Sequence, residues 1–266
     1  MTNIVAIVQA RMSSTRLPGK VLKPLGSKPA VACVIHQLSG AKHISQIVLA
    51  TSTESSDDPL VQWARRSKIE CWRGNLKDVL DRYYHAAVYY KADAVVRITA
   101  DCPLLDPTVV DTVIERFLQG DCDYAANINP PTYPDGLDNE VMSFAALEQA
   151  WKEATNPADR EHVTLYIRNH PERFRLANVT NDHDYSNLRW TLDTPEDYAF
   201  LNRVIQKLEM GKIQDHNPRF TMKEVLELLH TDKSFLEDTS ASSSEQPFAK
   251  KEPYFSSLQH DYIARL

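Results

Sequence analysis

The amino-acid sequence predicts an α/β fold: a mainly parallel mixed sheet, doubly wound, with helices on both faces. Two observations carry this. Short, continuous apolar runs alternate with helical apolar stripes from Ile4 to Phe117, the pattern of repeated βα units. The runs are also apolar at successive positions, as expected of strands covered on both faces. With 266 residues the chain is long enough to bury a substantial core.

The elements follow in order. Ile4–Val8 is the first strand. After a polar loop, Val31, Val34, Ile35 and Leu38 form one helical stripe, opened by Ser27 and Pro29 and stopped near Gly40. Ile47–Ala50 is a second strand; Leu60, Val61 and Ala64 mark a helix; Ile69–Trp72 is a short strand ending in Arg73-Gly74. Asn75 then reads as an N-cap with Asp78 in the first turn, followed by a buried face of Leu76, Val79, Leu80, Tyr83, Tyr84 and Ala87. Ala94–Ile98 is a strand that runs into Thr99–Pro103, and Asp106-Pro107 opens a helix with Val110, Val113, Ile114 and Phe117 inward. Beyond the turn-rich segment Pro130–Gly136 come a strand at Glu140–Phe144 and helices at Ala145–Ala154 and Asp159–Asn169. Strands at Phe174–Val179 and Leu188–Leu192 and a helix from Pro195 to about Leu208 complete the pattern. Residues 1–230 are read as one domain, and 231–266, with the low-complexity run Thr239–Ser244, as linker and tail.

Composition excludes several function classes. The chain carries 36 acidic and 30 basic residues, a formal charge of −6, which argues against a bulk nucleic-acid binder. A small anionic substrate is compatible, because a few local cations can hold a phosphate in an acidic protein. No apolar run approaches the roughly 20 residues of a membrane span. The opening MTNIVAIVQAR has no basic leader and reads as a strand rather than a signal peptide. The four cysteines are widely spread with no CxxC pair, so they read as reduced thiols of a cytoplasmic protein.

In a sheet of this kind ligands bind outside the carboxyl ends of the strands, so the loops after Val8, Trp72 and Ile98 are the places to look. The loop Gln9–Lys20 brings Arg11, Arg16 and Lys20 together with Ser13, Ser14 and Thr15. Arg offers a planar fork to phosphate oxygens, Lys a point charge, and successive loop amides an anion-binding nest. The loop is neither a Walker A motif nor a GxGxxG fingerprint. A solvated polar loop is the bland alternative. Asp101, after Arg97-Ile98-Thr99-Ala100, ends a strand where a hard cation could sit, since Mg²⁺ needs only one or two carboxylates besides phosphate and water. It could equally cap the following turn. Asp193 ends Trp190-Thr191-Leu192, although Thr194-Pro195-Glu196-Asp197 is also a helix start. As a pair, Asp101 and Asp193 could clamp one metal over phosphates. Arg73 can reach a base edge or phosphate, while capping explains Asn75 and Asp78 as well. Asp135, Asp138 and Glu140, with Arg160 and His162, are candidates for a second substrate or for turn chemistry and a solvated helix face.

Six segments together resemble a known family. Gln-Ala-Arg-Met-x-Ser-Thr-Arg-Leu-Pro-Gly-Lys, the segment Arg73–Tyr83, Arg-Ile-Thr-Ala-Asp-Cys-Pro-Leu, Tyr-Pro-Asp-Gly-Leu-Asp, Arg-Glu-His-Val-Thr and Arg-Trp-Thr-Leu-Asp-Thr-Pro-Glu-Asp occur in order. They are similar to the spore coat polysaccharide biosynthesis protein F family, among the acylneuraminate/CMP-KDO cytidylyltransferases, over about Ile4 to Leu208. The resemblance implies a nucleotide-diphospho-sugar transferase (Rossmann-like) fold, CTP and Mg²⁺ as cosubstrates, an acidic-sugar acceptor and a homodimer. It puts Ala10, Arg11 and Lys20 on the nucleotide and its phosphates, Asp101 and Asp193 on the metal, and Arg73 and Asp78 near the base or ribose. With Ser13, Ser14 and Thr99, these form the expected nucleotide site. Arg11, Lys20 and Asp101 form the expected catalytic set, and residues 130–180 the acceptor and dimerisation region. Where that family carries Gly after Met, this chain has Ser13, which lacks glycine's freedom at positive φ. The expected reaction is in-line attack of an acceptor oxygen on the α-phosphorus of CTP, with Asp135, Asp138 and His162 as candidate bases. A metal-dependent glycosyltransferase and a non-catalytic nucleotide-binding protein are the alternatives.

Overall fold

The computed structural model describes residues 2–212, 214–215, 217–232 and 234–237. In chain order, β1 (Ile4–Gln9) leads through a 3₁₀ turn at Lys20–Leu22 to a two-residue ribbon, β2 (Pro24–Leu25) and β3 (Lys28–Pro29). Then come α1 (Ala30–Leu38), β4 (Gln46–Ser52), a 3₁₀ turn at Ser55–Asp57, α2 (Asp58–Arg66), β5 (Glu70–Gly74), α3 (Val79–Tyr89), β6 (Ala94–Thr99) and α4 (Pro107–Leu118). The second half holds β7 (Tyr124–Ala126), β8 (Glu140–Ser143), α5 (Phe144–Glu153), α6 (Pro157–Glu161), α7 (Leu165–Asn169) and β9 (Leu176–Asn178). It ends with α8 (Pro195–Gly211), α9 (Met222–Thr231) and α10 (Ser234–Glu237). The expected low-complexity run Thr239–Ser244 lies outside the described residues.

Seven strands form one sheet in the order β5-β4-β1-β6-β8-β7-β9. β5, β4, β1 and β6 are parallel, whereas β8 runs antiparallel to both β6 and β7. The sheet is therefore mainly parallel and mixed, as expected, with its antiparallel strand on one side. Alternation along β1 divides the core. Ile4, Ala6 and Val8 meet α1, α2 and α4 on one face, while Val5 and Ile7 meet α3, α5 and α7 on the other. A third cluster joins Leu104, Trp190 and Leu192 to α8, α9 and Phe235. Among the described residues no helix is long and apolar enough to cross a membrane.

Four local expectations need correction. The residue capping α3 is Asp78, whose carboxylate accepts from the Asp81 amide at 2.9 Å; Asn75 instead folds an Asx turn over the Lys77 and Asp78 amides. Leu76 thus precedes the helix. Asp159–Asn169 is not one helix, because Val163 takes a positive φ of 57° between α6 and α7, with its side chain fully buried. Leu188–Leu192 is extended but joins no strand. Its Arg189 forms a single bridge to Asp135, while Leu188, Trp190 and Leu192 pack in the third cluster. β7 carries no long apolar run and escapes pattern reading, although Tyr124, Ala125 and Ala126 are all buried.

Candidate active site

β1 and β6 are neighbours, yet the chain leaves β1 towards β4 on one side and leaves β6 towards β8 and β7 on the other. The crevice at their carboxyl ends is the switch point at which such sheets bind ligands. Loop Gln9–Lys20 and Asp101 both start there.

The loop is tied down from beneath. Ala10 donates its amide to Ala50 at the end of β4, and Gly19, at a left-handed φ of 69°, returns its amide to the carbonyl of Met12. Met12 in turn donates to Asp57, which is fully buried and also accepts from Thr51 Oγ1 and from the amide and hydroxyl of Ser52. Burial alone would raise the Asp57 pKa, but these donors outweigh it and hold it below the ordinary aspartate value. Ser13 takes no positive φ, so this loop path does not need the glycine that the resemblance led one to expect there.

Lys20 follows the loop and is nearly buried. Its Nζ donates to Asp101 Oδ2 and to Asp193 Oδ1, each at 2.8 Å. Burial would discharge the lysine, but the two carboxylates prevail and raise its pKa. Burial opposes the Asp193 charge too, yet Lys20, Arg16 and Arg189 keep that carboxyl below its usual range. Arg189 Nη2 lies 2.8 Å from Asp193 Oδ2, and Asp197 accepts from the amides of Asp193 and Thr194 as part of a capping box on α8. Asp193 is thus fixed from both sides. The Leu192 amide donates to the carbonyl of Asp101 at 2.8 Å, so the two acidic loops are stitched together directly.

Two cavities meet at this cluster. One, of about 310 Å³, runs along the loop past Ala10, Arg11, Ser13 and Lys20 to Val79 and Arg82. The other, of about 320 Å³, is lined by Asp135, Asp138, Glu140, Arg168 and Thr191. Both are walled by Arg97, Thr99, Asp101, His162 and Asp193. A cationic groove and a largely acidic chamber therefore open onto one lysine-bridged carboxylate pair, an arrangement suited to joining a phosphate-bearing substrate to a second one.

The cytidylyltransferase family profile matches residues 5–217. The chain belongs to the cytidylyltransferase family. A spore coat polysaccharide biosynthesis protein of Bacillus subtilis is 35% identical over 214 residues, covering 78% of this chain and 88% of that protein. A 3-deoxy-manno-octulosonate cytidylyltransferase of Geobacter sulfurreducens is 33% identical over 114 residues, 42% of this chain and 44% of that one. A solved cytidylyltransferase structure from Leptospira borgpetersenii aligns with a TM-score of 0.80 at 28% identity, covering 92% of this chain and all of that one.

Within this cytidylyltransferase the expected site residues separate into two groups. Ala10, Arg11, Ser13, Ser14, Lys20, Thr99, Asp101, Asp193 and His162 line the first cavity, and Asp135, Asp138 and Glu140 the second. Arg73, Asp78 and Arg160 lie in neither lining. Arg73 is occupied by the carbonyls of Ser52 and Glu54 and by Asp58. Asp78 and Arg160, assigned to different substrates, pair with each other at 2.6 Å and pin α6 to the cap of α3. Glu140 is buried against Arg97 and the Tyr124 hydroxyl, and burial is outweighed by those partners, so its pKa is lowered. The sequence reading missed Arg82, Arg97, Asp57 and Arg189 as site residues. Arg97 lies inside a quoted motif, but its strand position alone does not say which way it points. Arg189 likewise opens a quoted motif, four residues before the Asp193 it holds, while Asp57 sits far in sequence from the loop it supports. All four cysteine thiols have raised pKa values, burial pushing Cys33 to about 12 and Cys71 to about 11, so none is a ready thiolate.

Proposed function

We propose that this cytidylyltransferase moves CMP from CTP to an acidic sugar, releasing pyrophosphate, in the making of a surface or spore polysaccharide precursor. The observation that carries the reading is the junction itself: Lys20, Asp101 and Asp193 stand where the cationic cleft meets the second chamber. The spore coat and octulosonate relatives support the polysaccharide setting and the acidic acceptor.

Arg11 and Lys20 hold and neutralise the triphosphate, and the amides of the Asp57-anchored loop add a pre-set anion site. Thr99 and His162 line both cavities and orient the acceptor against the α-phosphorus for in-line attack. Asp135, Asp138 and His162 are within the chamber from which a proton must leave the attacking hydroxyl. Mg²⁺ fits this donor set. Two hard carboxylate oxygens already converge on a single cationic centre, and Mg²⁺ needs only one or two carboxylates besides phosphate and water. Asp101 and Asp193 would hold it, and it would supply positive charge beside the phosphates.

The test is pyrophosphate release with each of the four nucleoside triphosphates, Mg²⁺ and a panel of acidic, neutral and phosphorylated sugars. CTP with a 2-keto-3-deoxy sugar acid is expected to react. Release with no triphosphate under any acceptor would sink the reading, and a preference for UTP or GTP would sink its cytidine part. The homodimer and the cytoplasmic setting belong to the same proposal, and sedimentation of the purified chain checks the first.

A further inference from the structure

The proton of the attacking hydroxyl leaves where the chamber meets the α-phosphorus, so the group that takes it has to reach both cavities. Asp135 and Asp138 line the chamber alone, whereas Arg97, Thr99, Asp101, His162 and Asp193 line both. Arg97 is paired with Glu140 and has no acceptor, and the neutral Thr99 hydroxyl lies 3.2 Å from Cys102 Sγ. Asp101 and Asp193 are both engaged with Lys20. His162 is left, an exposed imidazole with a ring nitrogen able to accept a proton.

The backbone that carries this imidazole is strained. Val163 takes a φ of 57°, and the Thr164 amide bonds back across it to the His162 carbonyl, the pattern of the rare γ-turn. A β-branched residue resists that conformation. Lys68 and Lys91 also have positive φ, but they sit exposed just past α2 and α3, where a left-handed cap is ordinary. Strain of this kind persists only where the surroundings over-determine it. Val163 is fully buried, as is Thr164, which hydrogen-bonds the Glu140 carboxylate. On the other side, Arg160 Nε lies 3.0 Å from Asp78 Oδ1 and Nη2 2.6 Å from Oδ2, while Nη1 donates to the Trp151 carbonyl at 2.7 Å. The turn is thus bolted to the cap of α3 and to a wall of the chamber.

We propose that His162 is the general base of the transfer and that Arg160 positions it. The inference rests on the transferase reading above. The acceptor hydroxyl gives its proton to a His162 ring nitrogen as its oxygen bonds to the α-phosphorus. The bond from that phosphorus to the bridging oxygen breaks, and pyrophosphate leaves with the electron pair. Arg160 lines neither cavity and acts only through the turn.

The test uses the full chain with CTP, Mg²⁺ and a 2-keto-3-deoxy sugar acid. His162→Ala should lower kcat by about 10²- to 10⁴-fold while calorimetric CTP affinity holds. Added imidazole should restore part of that rate, which a structural role would not allow. Arg160→Met should lower kcat by about 10- to 100-fold through misplacement of His162. In the His162→Ala background the same change should cost nothing further, and Arg160→Lys, which keeps the charge without the fork, should fall between Met and the wild type. The His162 ring resonance, assigned by its loss in His162→Ala, needs no turnover. It should shift when CTP and Mg²⁺ bind the wild type, and that response should be lost in Arg160→Met. Full additivity of the two changes, no rescue by imidazole, or a resonance indifferent to CTP overturns the inference. Absence of pyrophosphate release sinks the transferase reading and the base step with it. A resonance that answers CTP in the wild type and not in Arg160→Met then still supports Arg160 as the residue that sets His162 at the junction.

Discussion

At the scale of single residues, Lys20 is the group that makes the site self-consistent. Asp101 and Asp193 both face it at 2.8 Å, and without it two partly buried carboxylates would confront each other. Replacing Asp101 by Asn should lower kcat/KM by roughly 10²- to 10⁴-fold, the range seen when a preorganised charge is removed. Its thermal unfolding midpoint should stay close to that of the wild type; a large drop with kcat/KM retained would mark Asp101 as merely structural. Lys20→Met gives the complementary result. Like charges then favour a cation, so Mg²⁺ alone should raise the melting temperature of this variant, and not that of the wild type, through ordinary binding linkage. The acid limb of stability follows from Asp57. Its pKa is depressed in the folded chain, so its contribution is present above the ordinary aspartate value of 3.8 and fades as pH falls through the lower folded value. Asp57→Asn should flatten the loss of melting temperature below about pH 4, measured by scanning calorimetry.

At the scale of elements, the strands and helices of the first half were legible because each apolar run serves one face or both faces of a parallel sheet. β1, β4, β6 and α4 stand where the pattern put them. β7 was not legible, because its burial comes from β8 and β9 on either side rather than from its own pattern. The break at Val163 and the extended path of Leu188–Leu192 were hidden for the same reason: each is dictated by a distant cluster rather than by neighbours in sequence. The candidate site divides likewise. Asp101 and Asp193 end apolar segments and could be named, whereas Arg82 looks like an ordinary helical arginine until Gly74 brings it into the cleft. The turn at Gly136 shows how tightly one element holds another. Its φ is 110°, and a Cβ there would come within 2.9 Å of the Trp190 backbone. Gly136→Ala should therefore destabilise by about 1–3 kcal/mol, the cost of a strained backbone position. Because Asp135 exchanges backbone hydrogen bonds with Leu188 and Trp190, the acceptor KM should rise with little change in that for CTP. An equal rise in both would show that the turn does not serve the chamber alone.

At the scale of the whole molecule, a chain of net charge −6 concentrates Arg11, Arg16, Lys20, Arg82 and Arg97 in one cleft. Such a cleft draws a triphosphate against the overall field. The sheet supplies Asp101, but Asp193 comes from the segment clamped between the sheet and α8, and its seat is the third cluster. Trp190, 1% exposed, lies at the centre of that seam with Phe200, Leu201 and Val204. Trp190→Ala should cost about 3–5 kcal/mol, read from chemical denaturation. The sharper expectation concerns activity at a temperature where the variant is fully folded. If the cluster does no more than add stability, kcat there equals that of the wild type. If it seats Asp193 against Lys20, kcat falls while CTP affinity, which depends on the loop anchored by Asp57, holds. Trp190→Phe, which keeps a large ring, should recover most of both losses, because the seam then still presses the segment from Arg189 to Asp193 onto the two loops it joins.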